Sequence, residues 1–271
     1  MPRPGVHSAA DAARPGGLNE LNVAALPDPA RIRAILLDVE GTTTPIDFVY
    51  KVLFLFSRAR VENYLARHSQ EPETAAEIES LRQQREMEAR QNSGVPEWSE
   101  SSPEARVKSV AEFCRWLIDH DRKFTALKSI QGKIWEAGYR SGELRGEVYP
   151  DVAPAFARWR KQGRDIAIFS SGSVLAQKLI FGCSTAGDLT PHIRAYFDTT
   201  TGAKKEDASY RRIAAALGRR PDEVLFLSDV TAELDAARAA GMATLLVVRP
   251  GASEPTNSAL TVMHSFDEVL A

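Results

Sequence analysis

The sequence predicts an α/β protein: a three-layer, Rossmann-like parallel sheet carrying an inserted α-helical cap domain. Three observations lead there. Arg33-Ala34-Ile35-Leu36-Leu37-Asp38 is a short apolar run ending in a carboxylate, and an uninterrupted apolar run suits a strand buried on both faces of a parallel sheet. Beyond Tyr149-Pro150-Asp151, strand-like runs alternate with helical patterns, as a parallel sheet requires. Between the two regions, charged and apolar positions interleave over residues 48–146, a stretch too long for a loop and patterned enough to fold. The expected division is an α/β core from 31–47 and 147–271, a helical cap at 48–146, and a flexible leader over 1–30, rich in Pro, Gly and Ala.

Within the block, residues 48–67, 73–92, 103–120 and 123–137 read as helices. Ser102-Pro103-Glu104 is a good helix start, because Ser caps, Pro fits the first turn and Glu favours the positive dipole end. Gly138 is the expected stop of the fourth helix. In the core, Ile166–Phe169 is a strand and Val174–Phe181 a helix. Ala195–Asp198 is a shorter strand, and Tyr210–Leu217 a helix closed by Gly218. Val224–Leu227 is a strand, Ala232–Ala240 a helix stopped by Gly241, and Thr244–Val248 a last strand broken by Pro250-Gly251.

Composition narrows the function. The 271 residues are 44% hydrophobic and 26% charged, a soluble globular profile. Thirty-four basic against thirty-six acidic residues leave a net charge of −2, so neither nucleic acid nor an anionic membrane is an expected partner. No apolar run approaches the ~20 residues of a membrane span, and the leader lacks a signal-peptide core. Cys114 and Cys183 fit no metal-ligand spacing and are expected to be packed thiols in a reducing cytoplasm. The five histidines show no ligand spacing.

Ligands of an open parallel sheet bind at the carboxyl ends of its strands. Four features fall there: Asp38-Val39-Glu40-Gly41-Thr42, Ser170-Ser171-Gly172, Lys204 beyond Asp198, and Ser228-Asp229. Together they can perform phosphoryl transfer, which is mostly positioning and charge neutralisation. Asp38 is the candidate nucleophile, attacking phosphorus to give an aspartyl-phosphate. Glu40, two residues on and facing the same way along an extended backbone, can protonate the leaving oxygen and then activate water. Asp38, Glu40 and Asp229 are the candidate metal ligands, and Mg²⁺ suits such carboxylates, with water and phosphate completing its shell. Gly41 allows a tight turn. Ser170, Ser171 and the N–H groups before the next helix can hold phosphate oxygens, with Lys204 balancing charge. Spacing alone barely separates Lys204 from Lys205.

These motifs, in this order, resemble the haloacid-dehalogenase superfamily, whose pattern runs Asp-x-Asp-Gly-Thr, Ser/Thr, Lys, and acidic residues at a strand end. Glu40 departs from it, standing where most of those phosphatases have Asp. Asp-x-Glu-Gly-Thr-Thr is similar to the enolase-phosphatases of methionine salvage. So are Phe169-Ser170-Ser171-Gly172-Ser173, Gln177–Gly182, Phe197-Asp198-Thr199, Phe226–Asp229, Val248-Arg249-Pro250-Gly251 and, in the helical block, Leu127–Trp135 and Gly138-Tyr139. The resemblance covers about residues 31–270. It departs again at Leu55-Phe56, where the family tends to have Pro-Tyr.

The resemblance implies one Mg²⁺ per subunit, Lys204 as the active-site lysine, and a monomeric cytoplasmic enzyme acting on a small phosphorylated diketone. That substrate is 2,3-diketo-5-methylthiopentyl 1-phosphate, enolised and then dephosphorylated to acireductone; a shared Glu40 or a cap residue supplies the base. A capped phosphatase for another small phosphomonoester is the alternative. Glu233 reads equally as a partner of the site or as the first turn of a helix. Trp135 and Tyr139 read as cap core more readily than as substrate contacts. Lys128 and Gln131 suit either a substrate contact or a solvated helix face.

Overall fold

The computed structural model describes residues 28–253 and 260–271; the expected leader lies outside them as far as residue 27. Parallel pairing joins β1 (Ala34–Leu37), β2 (Asp165–Phe169), β3 (Ala195–Phe197), β4 (Val224–Ser228), β5 (Ala243–Val247) and β6 (Val262–Met263). The order is β3-β2-β1-β4-β5-β6. From β1 the chain builds outward through β2 and β3, then returns to build β4, β5 and β6 on the other side. The point where the order reverses therefore lies between β1 and β4, whose carboxyl ends open a crevice for ligands.

The period of two along the strands divides the core. Ile35, Leu37, Ile168 and Leu227 pack on one face against Phe156 and Trp159 of α5 (Val152–Lys161) and Ile180 and Phe181 of α6 (Val174–Gly182). Leu36, Ala167 and Phe226 pack on the other against Tyr210 and Ile213 of α7 (Asp207–Leu217) and Leu234 and Ala237 of α8 (Thr231–Ala239). A strand buried on both faces needs no polar positions, which is why β1 reads as an unbroken apolar run.

Between β1 and β2 run a π-helical turn (Phe48–Leu53), α1 (Phe54–His68), α2 (Pro72–Gln91), α3 (Pro103–Asp119) and α4 (Thr125–Ser141). They enclose their own apolar cluster, which includes Leu65, Leu81, Phe113, Leu117 and Ile130. Ser102 caps α3 as expected, its hydroxyl accepting from Ala105 N–H at 3.1 Å.

Several expectations need correction. Helix α4 passes through Gly138 and stops at Gly142, which supplies the left-handed φ of +77°. Gly138 serves packing instead, since a Cβ there would stand 2.5 Å from the Phe56 ring. Phe56 in turn carries the Arg60 guanidinium at 3.7 Å. Trp135 and Tyr139 pack with the sheet-side cluster rather than the helical one. Cys114 is buried, but Cys183 is exposed rather than packed. Helix α5 and strand β6 are additions to the expected elements. The signal for α5 is the spacing of Val152, Ala155, Phe156 and Trp159, whereas the two residues of β6 are too few to show a period.

Candidate active site

The β1 loop is built around one carbonyl. Asp38 N–H donates to Leu227 O at 3.0 Å, continuing the ladder to β4. The N–H groups of Thr42, Thr43 and Thr44 then all point to Val39 O, at 3.2, 3.0 and 2.9 Å. Gly41 makes the turn with φ +72°, and a Cβ there would lie 2.2 Å from Asp229 Oδ2. The two acidic loops are thus pressed together, with Asp229 N–H donating to Thr42 Oγ1 at 3.1 Å.

Asp38 is 3% exposed. Its Oδ1 accepts from Val39 N–H at 2.7 Å and lies 2.6 Å from Lys204 Nζ, while Ser228 Oγ sits 3.1 Å from its Oδ2. Lys204 Nζ is also 2.7 Å from Glu233 Oε2. One ammonium therefore serves two carboxylates, with Asp229 and Glu40 close by. Burial alone would lower the Lys204 ammonium, but Asp38 and Glu233 outweigh it and hold it above its usual range. Burial and then the Asp38 charge push Glu233 and Glu40 up, and carry Asp229 to about 6.

A cavity lies between α4 and the strand ends. Glu40, Ser170 and Ser171 line it from the sheet side; Leu53, Leu127, Lys128, Gln131 and Trp135 line it from the helices. Asp38, Asp229 and Lys204 are not in its lining. Ser170 is buried, and its Oγ accepts from Gly172 N–H at 2.9 Å, so it shapes the loop leading into α6. Lys128 Nζ donates to Ser171 O at 2.9 Å. Trp135 Nε1–H donates to Leu53 O at 2.8 Å, and Gln131 Nε2 to Ser57 Oγ at 3.3 Å.

Comparison with known proteins fits this arrangement. The haloacid dehalogenase-like hydrolase family matches residues 32–241. Enolase-phosphatase E1 of Synechococcus elongatus is 52% identical over 244 residues, 90% of this chain and 100% of that protein. The chain belongs to the enolase-phosphatase E1 family. A member from Danio rerio is 45% identical over 86% of this chain and 92% of its own length. The crystal structure of the UTR4 protein of Saccharomyces cerevisiae, 31% identical, superposes with a TM-score of 0.69, covering 88% of this chain and 100% of that one.

Whether the donors of this enolase-phosphatase suit a divalent cation can be read from one atom. Asp229 Oδ1 is buried and has no hydrogen-bond partner among the described residues. An unpaired buried carboxylate oxygen beside further carboxylates is costly unless a cation meets it. Among the described residues no group of three Asp, Glu, His or Cys side chains forms a complete cage. A divalent cation bound through one or two carboxylates, with water and phosphate completing its shell, fits that arrangement.

Three further residues join the site through tertiary contact. Glu233 and Ser228 complete the Asp38–Lys204 network, which decides between the two readings of Glu233. Arg249 is 5% exposed and donates through Nε and Nη2 to Thr42 O at 2.9 and 2.7 Å. Its Nη1 lies 2.6 Å from Asp151 Oδ2, and its guanidinium packs against the Tyr149 and Phe266 rings. Arg249 thus holds the Asp38 loop from behind; its only sequence signal is the Val248–Gly251 string. Lys205 is exposed, so Lys204 is the lysine that reaches Asp38.

Proposed function

We infer that the protein is an enolase-phosphatase of methionine salvage, converting 2,3-diketo-5-methylthiopentyl 1-phosphate to acireductone and phosphate through an enol phosphate. The observation that carries this reading is Asp38, buried between Lys204 and Ser228 at the end of β1, with Glu40 facing the cavity beside it. Residues 31–47 and 147–271 act as the catalytic core and 48–146 as its cap. The chain is read as a cytoplasmic monomer with neither nucleic-acid nor membrane partner; no described helix is long and apolar enough to cross a membrane.

Asp38 is the nucleophile. Its oxygen attacks phosphorus while the bond to the enol oxygen breaks, and Glu40 protonates that oxygen as it leaves. The raised Glu40 carboxyl suits the donor role. As a carboxylate, Glu40 then activates the water that hydrolyses the aspartyl-phosphate. Lys204, Ser170 and Ser171 hold the phosphate oxygens. Asp38 and Asp229 through their carboxylates, and Glu40 through its backbone carbonyl oxygen, would hold Mg²⁺, one per subunit, which when bound screens the negative charge between carboxylate and phosphate and leaves the Glu40 carboxyl free for proton transfer. Glu40 is also the proposed base for enolisation.

The test is an anaerobic incubation with the diketone phosphate and Mg²⁺, following phosphate together with the ultraviolet absorbance of the enediol. Both are expected to rise in step, preceded by the enol phosphate. Hydrolysis of a generic phosphomonoester with no enediol from the diketone would reduce the enzyme to a capped phosphatase of another substrate. Chelation should abolish phosphate release, and added Mg²⁺ should restore it; release that persists under chelation would contradict the metal assignment.

A further inference from the structure

Enolisation needs two partners around the reacting carbons. A base removes the C1 proton, and a donor must meet the C2 oxygen as it takes up the electron pair. Glu40 is placed for the first task. The core's own cation is committed elsewhere, since Lys204 lies 2.6 Å from Asp38 and 2.7 Å from Glu233 and is not in the cavity lining. The cations that do line the cavity come from the helical side: Arg122, Lys123 and Lys128.

These three differ in placement. Arg122 and Lys123 are exposed in the turn after α3, where Asp121 takes a left-handed φ of +48°. Lys128 stands in the first turn of α4, on the face that also presents Gln131 and Trp135 to the cavity. It is half-buried, and its ammonium is oriented by the Ser171 carbonyl at 2.9 Å. That contact engages one of its three N–H donors, and the carboxylates of Asp198 and Glu40 act on the ammonium through their charge. Ser171 belongs to the loop assigned to the phosphate. From phosphorus, the ester oxygen and C1 lead directly to C2, so a donor anchored beside that loop stands near the C2 oxygen. Burial, and then the charge of Lys123, bring the Lys128 ammonium below its ordinary range, which makes it a better proton donor.

We propose that Lys128 is the electrophile of the enolisation, donating from its ammonium to the C2 carbonyl oxygen of the diketone phosphate. The assignment rests on the functional reading above. In the step, the C1–H bond breaks and its proton passes to the base. Its electron pair forms the C1=C2 bond, and the carbonyl π pair moves to oxygen, where the Lys128 donor stabilises it and supplies the proton of the enol. The same residue ties the helical layer to the phosphate loop, so the donor is in position only while the two are in contact.

The experiment compares Lys128→Met, Lys128→Arg and Lys123→Met with wild type, using the Mg²⁺-loaded full chain. Turnover of the diketone phosphate, with C1 protonated or deuterated, is measured against hydrolysis of p-nitrophenyl phosphate. Lys128→Met is expected to slow diketone turnover on the order of 100-fold, to lower the ratio of diketone to p-nitrophenyl phosphate turnover, and to increase the C1 deuterium isotope effect. Lys128→Arg should recover part of the loss. An equal fall in both activities with an unchanged isotope effect would reduce Lys128 to a structural tie and overturn the proposal. So would a full diketone rate in Lys128→Met, or the selective loss appearing in Lys123→Met instead. If wild type yields no enediol at all, the functional reading fails first and this inference falls with it.

Discussion

Asp38 is oriented before any substrate arrives. Val39 N–H and Lys204 fix one of its oxygens and Ser228 reaches the other, so little reorganisation remains for the reaction, which is what electrostatic preorganisation requires. Asp38→Asn keeps the shape but removes the carboxylate proposed as the nucleophile. Phosphate release should fall on the order of 10⁴-fold, about 5 kcal/mol of barrier, in a steady-state assay, and near-normal turnover would contradict covalent catalysis. Gly41 makes a separate prediction. Its φ of +72° and the 2.2 Å approach of a Cβ to Asp229 Oδ2 mean that Gly41→Ala must displace an acidic loop. Turnover should drop by roughly 100-fold, as a misplacement of about 1 Å costs, and the Mg²⁺ concentration for half-activation should rise. An unchanged Mg²⁺ requirement would show that the loop yields without moving Asp229.

At the scale of elements, α4 connects the helical layer to the sheet. Two glycines on it face very different neighbours. A Cβ at Gly132 would meet only the end of the Leu175 side chain, at 3.3 Å, whereas one at Gly138 would lie 2.5 Å from the Phe56 ring and 3.0 Å from Leu144. Alanine ordinarily favours a helix interior over glycine by about 1 kcal/mol, but overpacking a buried contact costs about 1–3 kcal/mol. Gly138→Ala is therefore expected to destabilise by about 1 kcal/mol in urea unfolding, and Gly132→Ala to be neutral or mildly stabilising. The opposite order would mean that Phe56 moves freely, against its placement between Gly138 and Arg60. Glycine alone does not reveal this role. In sequence Gly138 reads as a helix stop, and only the ring packed against it shows why the helix continues to Gly142.

For the whole molecule, the end of the sheet remote from the site is held by a charge cluster. Asp165, at the start of β2, accepts from Arg219 Nη2 at 2.7 Å and from Arg194, joining β2 to the segments before β3 and after α7. Burial alone would raise the Asp165 carboxyl, but the hydrogen bonds and charges of Arg219 and Arg194 hold it below the usual range. A depressed folded value means that its stabilisation is complete above the unfolded pKa near ~3.9 and is lost as pH falls through the folded value. Asp165→Asn should cost about 1–2 kcal/mol at pH 7 in denaturant unfolding, and the gap between variant and wild type should narrow below pH ~4. A gap that stays constant with pH would assign the effect to packing rather than charge.

The sequence alone determined the local parts of this protein. Buried strands and amphipathic helices write their periods into consecutive residues, so the parallel sheet and the helical block after β1 were legible, with boundaries off by a few residues. The candidate residues Asp38, Glu40, Ser170, Ser171 and Asp229 could be singled out because they stand within three residues of a strand's carboxyl end, and Lys204 because it stands in an ordered motif. Tertiary structure decided everything that depends on residues far apart along the chain. It brought Glu233 to Lys204, set Arg249 behind Thr42, buried Asp229 Oδ1 without a hydrogen-bond partner among the described residues, and carried Lys128 from the helical layer to Ser171. Periodicity cannot encode such contacts, since an ion pair or a close approach depends on where two distant segments meet, and only the packed sheet and helices fix that distance.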